Sequence, residues 1–437
     1  MKEKYDVIVA GAGPAGLLAA KALAQNGFDV AVLERKADMS AVTRACGQSL
    51  LPPNEYFFGD LFHYNARDGR FCFPLLGLSF PYTGPVKSLQ AWHMFSPGMN
   101  SMQFGGAQDA PIALSYDKAT MLACLLEEVK GNQVDLLAGT ECTGLQPAPG
   151  GIVVETASGP SMCTYLIAAD GVNSRIVEQL GYNNNRRHIA NLYAKSFFIQ
   201  GFNSPHGQSI VTAVAFLEGK PVYLFLLPRP AGDAWNLLVL TLEGSVDVQS
   251  AYETLVKDSR YAVWFKDSRV VQETAAVEGI YSPIIKPFRN NVLIVGDAGG
   301  CQELECLGAM ISGWRGGCAV AAALKEQELG VPPRAIAEYE DWWLNTYIKQ
   351  YDYQDYLSVF GLAYTMANAE VIDYVFGLMG ETAFPPTFNP YTAVGLLGAR
   401  LQGLMPRIMA ERPDILQQLA GTMGQFPSDI MAGTLKE

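Results

Sequence analysis

The chain opens on a short, nearly unbroken apolar run, Tyr5-Asp-Val-Ile-Val-Ala10, rich in β-branched residues. Such a run reads as a parallel strand buried on both faces. Leu17 to Gln25 continues as an apolar, Ala-rich helix, and Asp29 to Leu33 repeats the strand pattern before ending at Glu34. Further along, Asp117 is placed to cap a helix with apolar spacing through Leu122, Leu125, Leu126 and Val129, stopped by Gly131-Asn132. Strands are predicted at 134–137, 152–156 and 162–168, with turns at Pro149-Gly150-Gly151 and Ser158-Gly159-Pro160. Period-two runs at 193–200, 209–217, 222–227 and 235–242 predict an antiparallel sheet. From 303 onward the pattern turns helical, with one helix over 319–329 and several more over 334–437 forming a cap.

Gly11, Gly13 and Gly16 spell G-x-G-x-x-G between the first strand and the first helix. Gly11 permits the tight turn, Gly13 admits a pyrophosphate close to backbone, and Gly16 lets helix and strand pack closely. The helix N-terminus offers N–H groups and partial positive charge to the phosphates. Glu34, at the end of the next strand, suits a ribose hydroxyl. Arg35 suggests a 2′-phosphate reader, but Glu34 beside it would repel one, so a free 2′-hydroxyl is expected. Two more strand-to-helix junctions carry Asp170-Gly171 and Gly296-Asp297 at carboxyl ends of apolar strands, where open α/β sheets bind ligands.

Other features stay double-edged. Arg44-Ala45-Cys46-Gly47 reads as an exposed loop with a small hydrophobe, or as a cofactor contact with a thiol near a reactive ring. The aromatic stretch 56–104, from Phe57 and Phe58 to Trp92 and Phe95, reads as core or as a ligand pocket.

Composition then narrows the class. With 437 residues and 49% hydrophobic content the chain supports two or three globular lobes. Its formal net charge of −12 argues against nucleic acid. Met1-Lys-Glu-Lys leads directly into the first strand, no run reaches the roughly 18 apolar residues of a bilayer span, and eight cysteines lack regular spacing. A cytoplasmic location is expected.

The three junctions together resemble the geranylgeranyl reductase family, within the flavoprotein group that includes the aromatic hydroxylases, over about residues 1–330. The resemblance implies an α/β architecture: a Rossmann-like FAD-binding domain, an antiparallel-sheet substrate domain and a C-terminal helical region. The FAD lobe is expected to be discontinuous, from 1–75, 105–180 and 275–330, with 76–104 and 181–274 forming the substrate lobe and 331–437 the helical region. The cofactor implied is FAD, held by Gly11, Gly13, Ala15, Gly16, Glu34 and Arg35 at its ADP half. Asp170 and Gly171 lie by the pyrophosphate, with Gly296 and Asp297 at the ribityl or pyrophosphate part. Arg44, Cys46, Gly47 and Lys118 flank the cofactor, Cys142 supplies backbone to adenine, and Gly308, Ala309 and Met310 present N–H groups to the ring's pyrimidine edge.

Arg44-Ala-Cys46-Gly47 is similar to the family's basic-x-Cys-Gly element, which brings the cysteine near the flavin. Tyr223-Leu-Phe225-Leu-Leu227-Pro228 is similar to its Tyr-x-Trp-x-Phe-Pro strand over the substrate channel, with Phe225 and Leu227 as departures. Lys118 replaces the usual Arg. Where the family has Pro and a Gly-rich run, this chain has Cys301, Glu303, Glu305 and Cys306; Glu303 or Glu305 reads as a proton donor or as a solvated loop acid. The implied activity is hydride transfer from reduced flavin to a carbon–carbon double bond of a lipophilic, prenyl-like substrate. The alternatives are a flavin monooxygenase and a carrier-to-quinone dehydrogenase. With no second dinucleotide fingerprint, electrons are expected from transient NAD(P)H or a ferredoxin-like carrier. Met-rich C-terminal helices suit core, an apolar lining or peripheral membrane contact.

Overall fold

The computed structural model describes residues 1–47, 50–51, 53, 55–106, 108–131, 133–300, 306–350 and 368–423. The N-terminal apolar run forms β1 (Lys4–Ala10), and the glycine turn delivers the chain into α1 (Pro14–Gln25), then β2 (Val30–Glu34). Five strands stand parallel in the order Val134–Ala138, β2, β1, β3 (Ser161–Ala168), Val292–Ile294. A short antiparallel pair, Gly144–Ala148 and Gly151–Glu155, widens the sheet at the start of β3. α2 (Lys118–Val129) begins at Asp117, whose carboxylate accepts the Thr120 N–H at 2.8 Å. The buried Lys21 of α1 pairs with Glu128 of α2, so its charge enters the protein with a partner.

The second sheet has seven strands: Ser101–Gly105, Ala91–Phe95, Ile210–Leu217, β4 (Lys220–Pro228), Trp235–Thr241, His188–Gln200 and β5 (Arg269–Tyr281). It is antiparallel except where Ala91–Phe95 runs parallel to Ile210–Leu217. β5 pairs along His188–Gln200, so the division expected at 274/275 falls inside a paired strand. β4, apolar throughout after Lys220, is buried on both faces. Tyr223, Phe225 and Leu227 join a cluster with Trp92, Phe104 and the helices Ala369–Met379 and Pro390–Glu411, while Val222, Leu224 and Leu226 pack beneath Val248–Asp258. The aromatic stretch after residue 56 is core: Phe57, Phe58, Phe62, Phe71, Phe73, Phe80, Tyr82, Trp92 and Phe95 are all buried, and Phe71 stacks on Tyr82 at 4.5 Å. Each fully buried Phe contributes about 1.5–3 kcal/mol.

α3 (Leu307–Glu328) starts earlier than the helix predicted at 319, because its glycines let it lie directly against α1. It is also long and apolar enough to cross a bilayer, which no run was expected to be, yet 78% of its apolar window is buried. A Cβ at Gly313 would stand 2.2 Å from the Ala15 carbonyl oxygen, and one at Gly317 2.5 Å from that of Ala19. Two backbones therefore meet with no side chain between them. Gly313→Val should lower stability by about 3 kcal/mol, measured by denaturant unfolding. Gly395→Ala, in an exposed helix with open space around the new methyl, should raise it by about 1 kcal/mol.

Candidate active site

A cleft opens at the carboxyl ends of β1, β2 and β3, lined by all three expected motifs. Gly11 has φ +109°, and its Cβ would meet the Ala169 carbonyl oxygen at 2.3 Å, so no other residue fits this turn. Gly16 lies against Gly11, whose oxygen would be 1.9 Å from an added Cβ. Gly13 differs: nothing lies within 4 Å of where its Cβ would be. The space is open, and it lies at the N-terminus of α1, where Gly13 supplies no side-chain cap. A pyrophosphate fits that opening and the partial positive charge of the helix end. Glu34 is buried and fixed, one carboxylate oxygen accepting the Ala12 N–H and the other the Lys36 N–H, both at 3.0 Å. Ala15, Arg35 and Cys142 line the same cleft. Burial pushes the Cys142 thiol up to about 12, leaving it inert.

At the second junction Asp170 accepts from Ser174 Oγ at 2.6 Å and from the Ile176 N–H at 3.4 Å; its carboxyl is raised by burial, against those bonds. Gly171, at φ +86°, leaves room beside the Arg44 guanidinium. Arg44 is paired with Glu278 of β5 at 3.3 Å. Nothing in the sequence distinguishes Glu278 from Glu273, the other acid of its strand. It is placed by Asn173, whose side-chain amide donates to the Val277 carbonyl at 2.8 Å and accepts the Gly279 N–H at 2.9 Å. The loop of the first lobe thus clasps the edge strand of the second on either side of Glu278.

Asp297 and Lys118 complete a cluster of two acids and two bases with Glu278 and Arg44. Burial raises both carboxyls, opposed by Lys118 and Arg44. Burial works against the Lys118 ammonium, but the Cys46 and Cys306 sulfurs and Asp297 outweigh it and raise its pKa. Lys118 Nζ donates to Cys46 Sγ at 3.5 Å. The backbone of this loop is pinned by the second sheet. Asn236 donates to the Cys46 and Gly47 carbonyls at 3.0 and 3.2 Å, and Ser196 Oγ accepts the Cys46 N–H at 3.3 Å. Gly47 lies outside the cleft, against Leu227.

The strand Tyr223, Phe225, Leu227 and Pro228 ends beside the cleft, where Ser115 Oγ donates to the Pro228 carbonyl at 2.6 Å and Arg229 pairs with Asp117 at 2.6 Å. Gly296 packs on Ala15, and Gly308 packs against the Phe58 and Tyr347 rings. Ala309 lines the cleft. Met310 does not present its N–H: it lies in the first turn of α3 and donates to the Cys306 carbonyl at 2.9 Å. Cys301, Glu303 and Glu305 fall outside the described residues.

Residues 4–50 match the FAD binding domain family. Digeranylgeranylglycerophospholipid reductase 2 of Methanosphaera stadtmanae is 25% identical over 337 residues, covering 74% of this chain and 79% of that one. The digeranylgeranylglycerophospholipid reductase of Methanococcus vannielii is 24% identical, covering 69% and 71%. This chain is an FAD-dependent oxidoreductase that is similar to geranylgeranyl reductases. The fold agrees: a geranylgeranyl bacteriochlorophyll reductase-like protein of Thermoplasma acidophilum superposes with a TM-score of 0.69 at 13% identity, covering 96% of this chain and 99% of that one. The halogenase PltM, solved with phloroglucinol and FAD, superposes at 0.62 with 12% identity, covering 95% and 85%.

In this flavoprotein Gly13→Val should leave the fold intact, because the side chain enters open space, yet weaken FAD by at least about 100-fold; circular dichroism and flavin fluorescence titration check the two halves. The apo-protein carries a second signature. Asp297 and Glu278 hold protons more tightly folded than unfolded, so the stability these two groups contribute is fully present below the ordinary carboxylate range and is lost as pH rises from about 4 through their raised values. Asp297→Asn should flatten that fall in a thermal-midpoint series of the flavin-free protein.

Proposed function

We propose that the protein reduces carbon–carbon double bonds of a lipophilic, prenyl-type chain, using hydride from reduced FAD. The observation that carries this reading is the loop Arg44–Gly47. Its Cys46 lines the cofactor cleft, while its Ala45 belongs to the apolar cluster of Tyr223, Phe225, Leu227 and the C-terminal helices. One loop thus links the flavin site with a large apolar cluster of the second lobe and the C-terminal helices. The names of the relatives, digeranylgeranylglycerophospholipid reductases, support the same substrate class.

Bound FAD supplies the redox chemistry as a carrier of two electrons. The chain's residues do the rest. Gly13 and the N-terminus of α1 receive the pyrophosphate, Glu34 orients the ribose, and Arg44 with Lys118 balances the phosphate charge. Asn236 and Ser196 fix the height of the Cys46 loop. Tyr223, Phe225 and Leu227 exclude water from the reacting bond. We infer that electrons reach the flavin from NAD(P)H or a ferredoxin-like carrier. We also infer that the protein works in the cytoplasm with peripheral membrane contact; the exposed Met409 on the outer side of Pro390–Glu411 supports this.

The direct experiment reduces the flavin anaerobically and adds a prenylated alkene or air. Reoxidation by the alkene with a saturated product supports the reading. A stable oxygen adduct and an oxygenated product would make the protein a monooxygenase instead. Leu227→Phe, which enlarges the side chain packed beside Gly47, should lower kcat/KM for the preferred chain by about 10-fold while leaving FAD affinity unchanged.

A further inference from the structure

We propose that Arg315, Trp342 and Tyr56 form a receptor for the phosphate of an anionic phospholipid. The proposal rests on the peripheral membrane contact inferred above and gives that contact a site. None of the three residues lines the cofactor cleft. Arg315 lies in the third turn of α3, and Trp342 ends the helix Ala335–Trp342 packed beside it. Tyr56 opens a small hairpin that pairs Tyr56–Phe57 with Asp60–Leu61. The hairpin turns through Phe58 and Gly59, both at positive φ (49° and 84°). A Cβ on Gly59 would stand 3.3 Å from Trp342 Nε1 and 3.9 Å from the Tyr56 hydroxyl, so these two donors flank one point. The Arg315 guanidinium lies over the Trp342 ring, 4.8 Å from its centroid.

These donors lack acceptors. Arg315 Nε and Trp342 Nε1 are buried without a hydrogen-bond partner, and among the described residues Arg315 forms no ion pair. Asp60 is the carboxylate that acts most strongly on Arg315. Its oxygens are nonetheless committed to backbone: Oδ1 accepts the Leu61 and Leu75 N–H groups at 2.6 and 3.1 Å, and Oδ2 accepts that of Leu76 at 2.9 Å. Burial works against the Arg315 charge and lowers its pKa. Folded proteins seldom leave a half-buried guanidinium and a buried indole N–H unbonded unless a ligand supplies the acceptor. A guanidinium held flat on a ring, with no carboxylate on its N–H edge, suits a phosphate, which takes two parallel N–H···O bonds from arginine.

The surroundings select among phosphates. Tyr56 and Leu75 are 56% and 61% exposed. Both flank Asp60, since Tyr56 pairs with Leu61 and the Leu75 N–H meets the Asp60 carboxylate. Exposed apolar side chains around a recessed cation fit a bilayer surface, with Leu75 reaching toward the acyl chains and Tyr56 at headgroup level. A free anion in water would gain nothing from them.

The test sediments the FAD-loaded protein with vesicles of phosphatidylcholine alone and of phosphatidylcholine mixed with phosphatidylglycerol. The expected result is preferential binding to the anionic vesicles, weakened at least about 10-fold in Arg315→Leu and in the double variant Tyr56→Ser, Leu75→Ser. Flavin absorbance shows that each variant is folded. The double variant alters exposed side chains only, so it decides the matter if Arg315→Leu does not fold. Equal binding to the two vesicle types, or binding unchanged in either folded variant, would overturn the site and leave membrane contact standing. Wild-type protein that binds no vesicle would overturn both, whether or not inorganic phosphate alone raises its thermal midpoint.

Discussion

Everything in this molecule is referred to the backbone-on-backbone approach of α1. Its start touches the glycine turn through Gly16, and its flank touches α3 at Gly313 and Gly317, with separations too small for any Cβ. Close packing of this kind leaves the helix no freedom to slide, since a shift of a few tenths of an ångström brings main-chain atoms into collision. The N-terminus of α1 is thereby held at the mouth of the cleft. Of the three glycines of the turn, Gly13 is the one whose Cβ would meet nothing, and it lies at the opening.

The two lobes are joined by polar groups set into an apolar sheet. Ser196 and Asn236 are wholly buried in the second sheet, yet their side chains reach the Cys46–Gly47 backbone of the first lobe. Asn173 reaches the other way and holds β5. Buried polar side chains weaken a core unless they are satisfied, and here most of their bonding capacity goes to the boundary between lobes. The arrangement fixes where the cofactor loop stands relative to the apolar cluster of the second lobe.

Within the cleft, Arg44, Lys118, Glu278 and Asp297 form a balanced set without the cofactor. Desolvation opposes the charges of Lys118, Glu278 and Asp297, so the set costs stability and serves the ligand. A pyrophosphate entering beside Arg44 changes the balance toward negative, and the raised carboxyls are the groups able to answer by taking up protons.

The sequence by itself determined the first lobe's chemistry. Strand, glycine turn, helix and acid are local features whose roles follow from backbone geometry, so Gly11, Gly13, Gly16 and Glu34 were legible before any fold was known. So was β4, because alternation along a strand assigns Tyr223, Phe225 and Leu227 to one face. Tertiary structure alone decided the rest. Glu278 reads as one more strand acid until Asn173, far away in the chain, turns it onto Arg44. Met310 reads as an N–H donor until α3 begins at Leu307 and commits that N–H to a helical bond. The contacts of Lys118 with Cys46 and of Tyr116 with Cys306 join distant segments that nothing local in the sequence pairs. Pair chemistry between distant segments has no periodicity to announce it; only the packing that brings the segments together creates it.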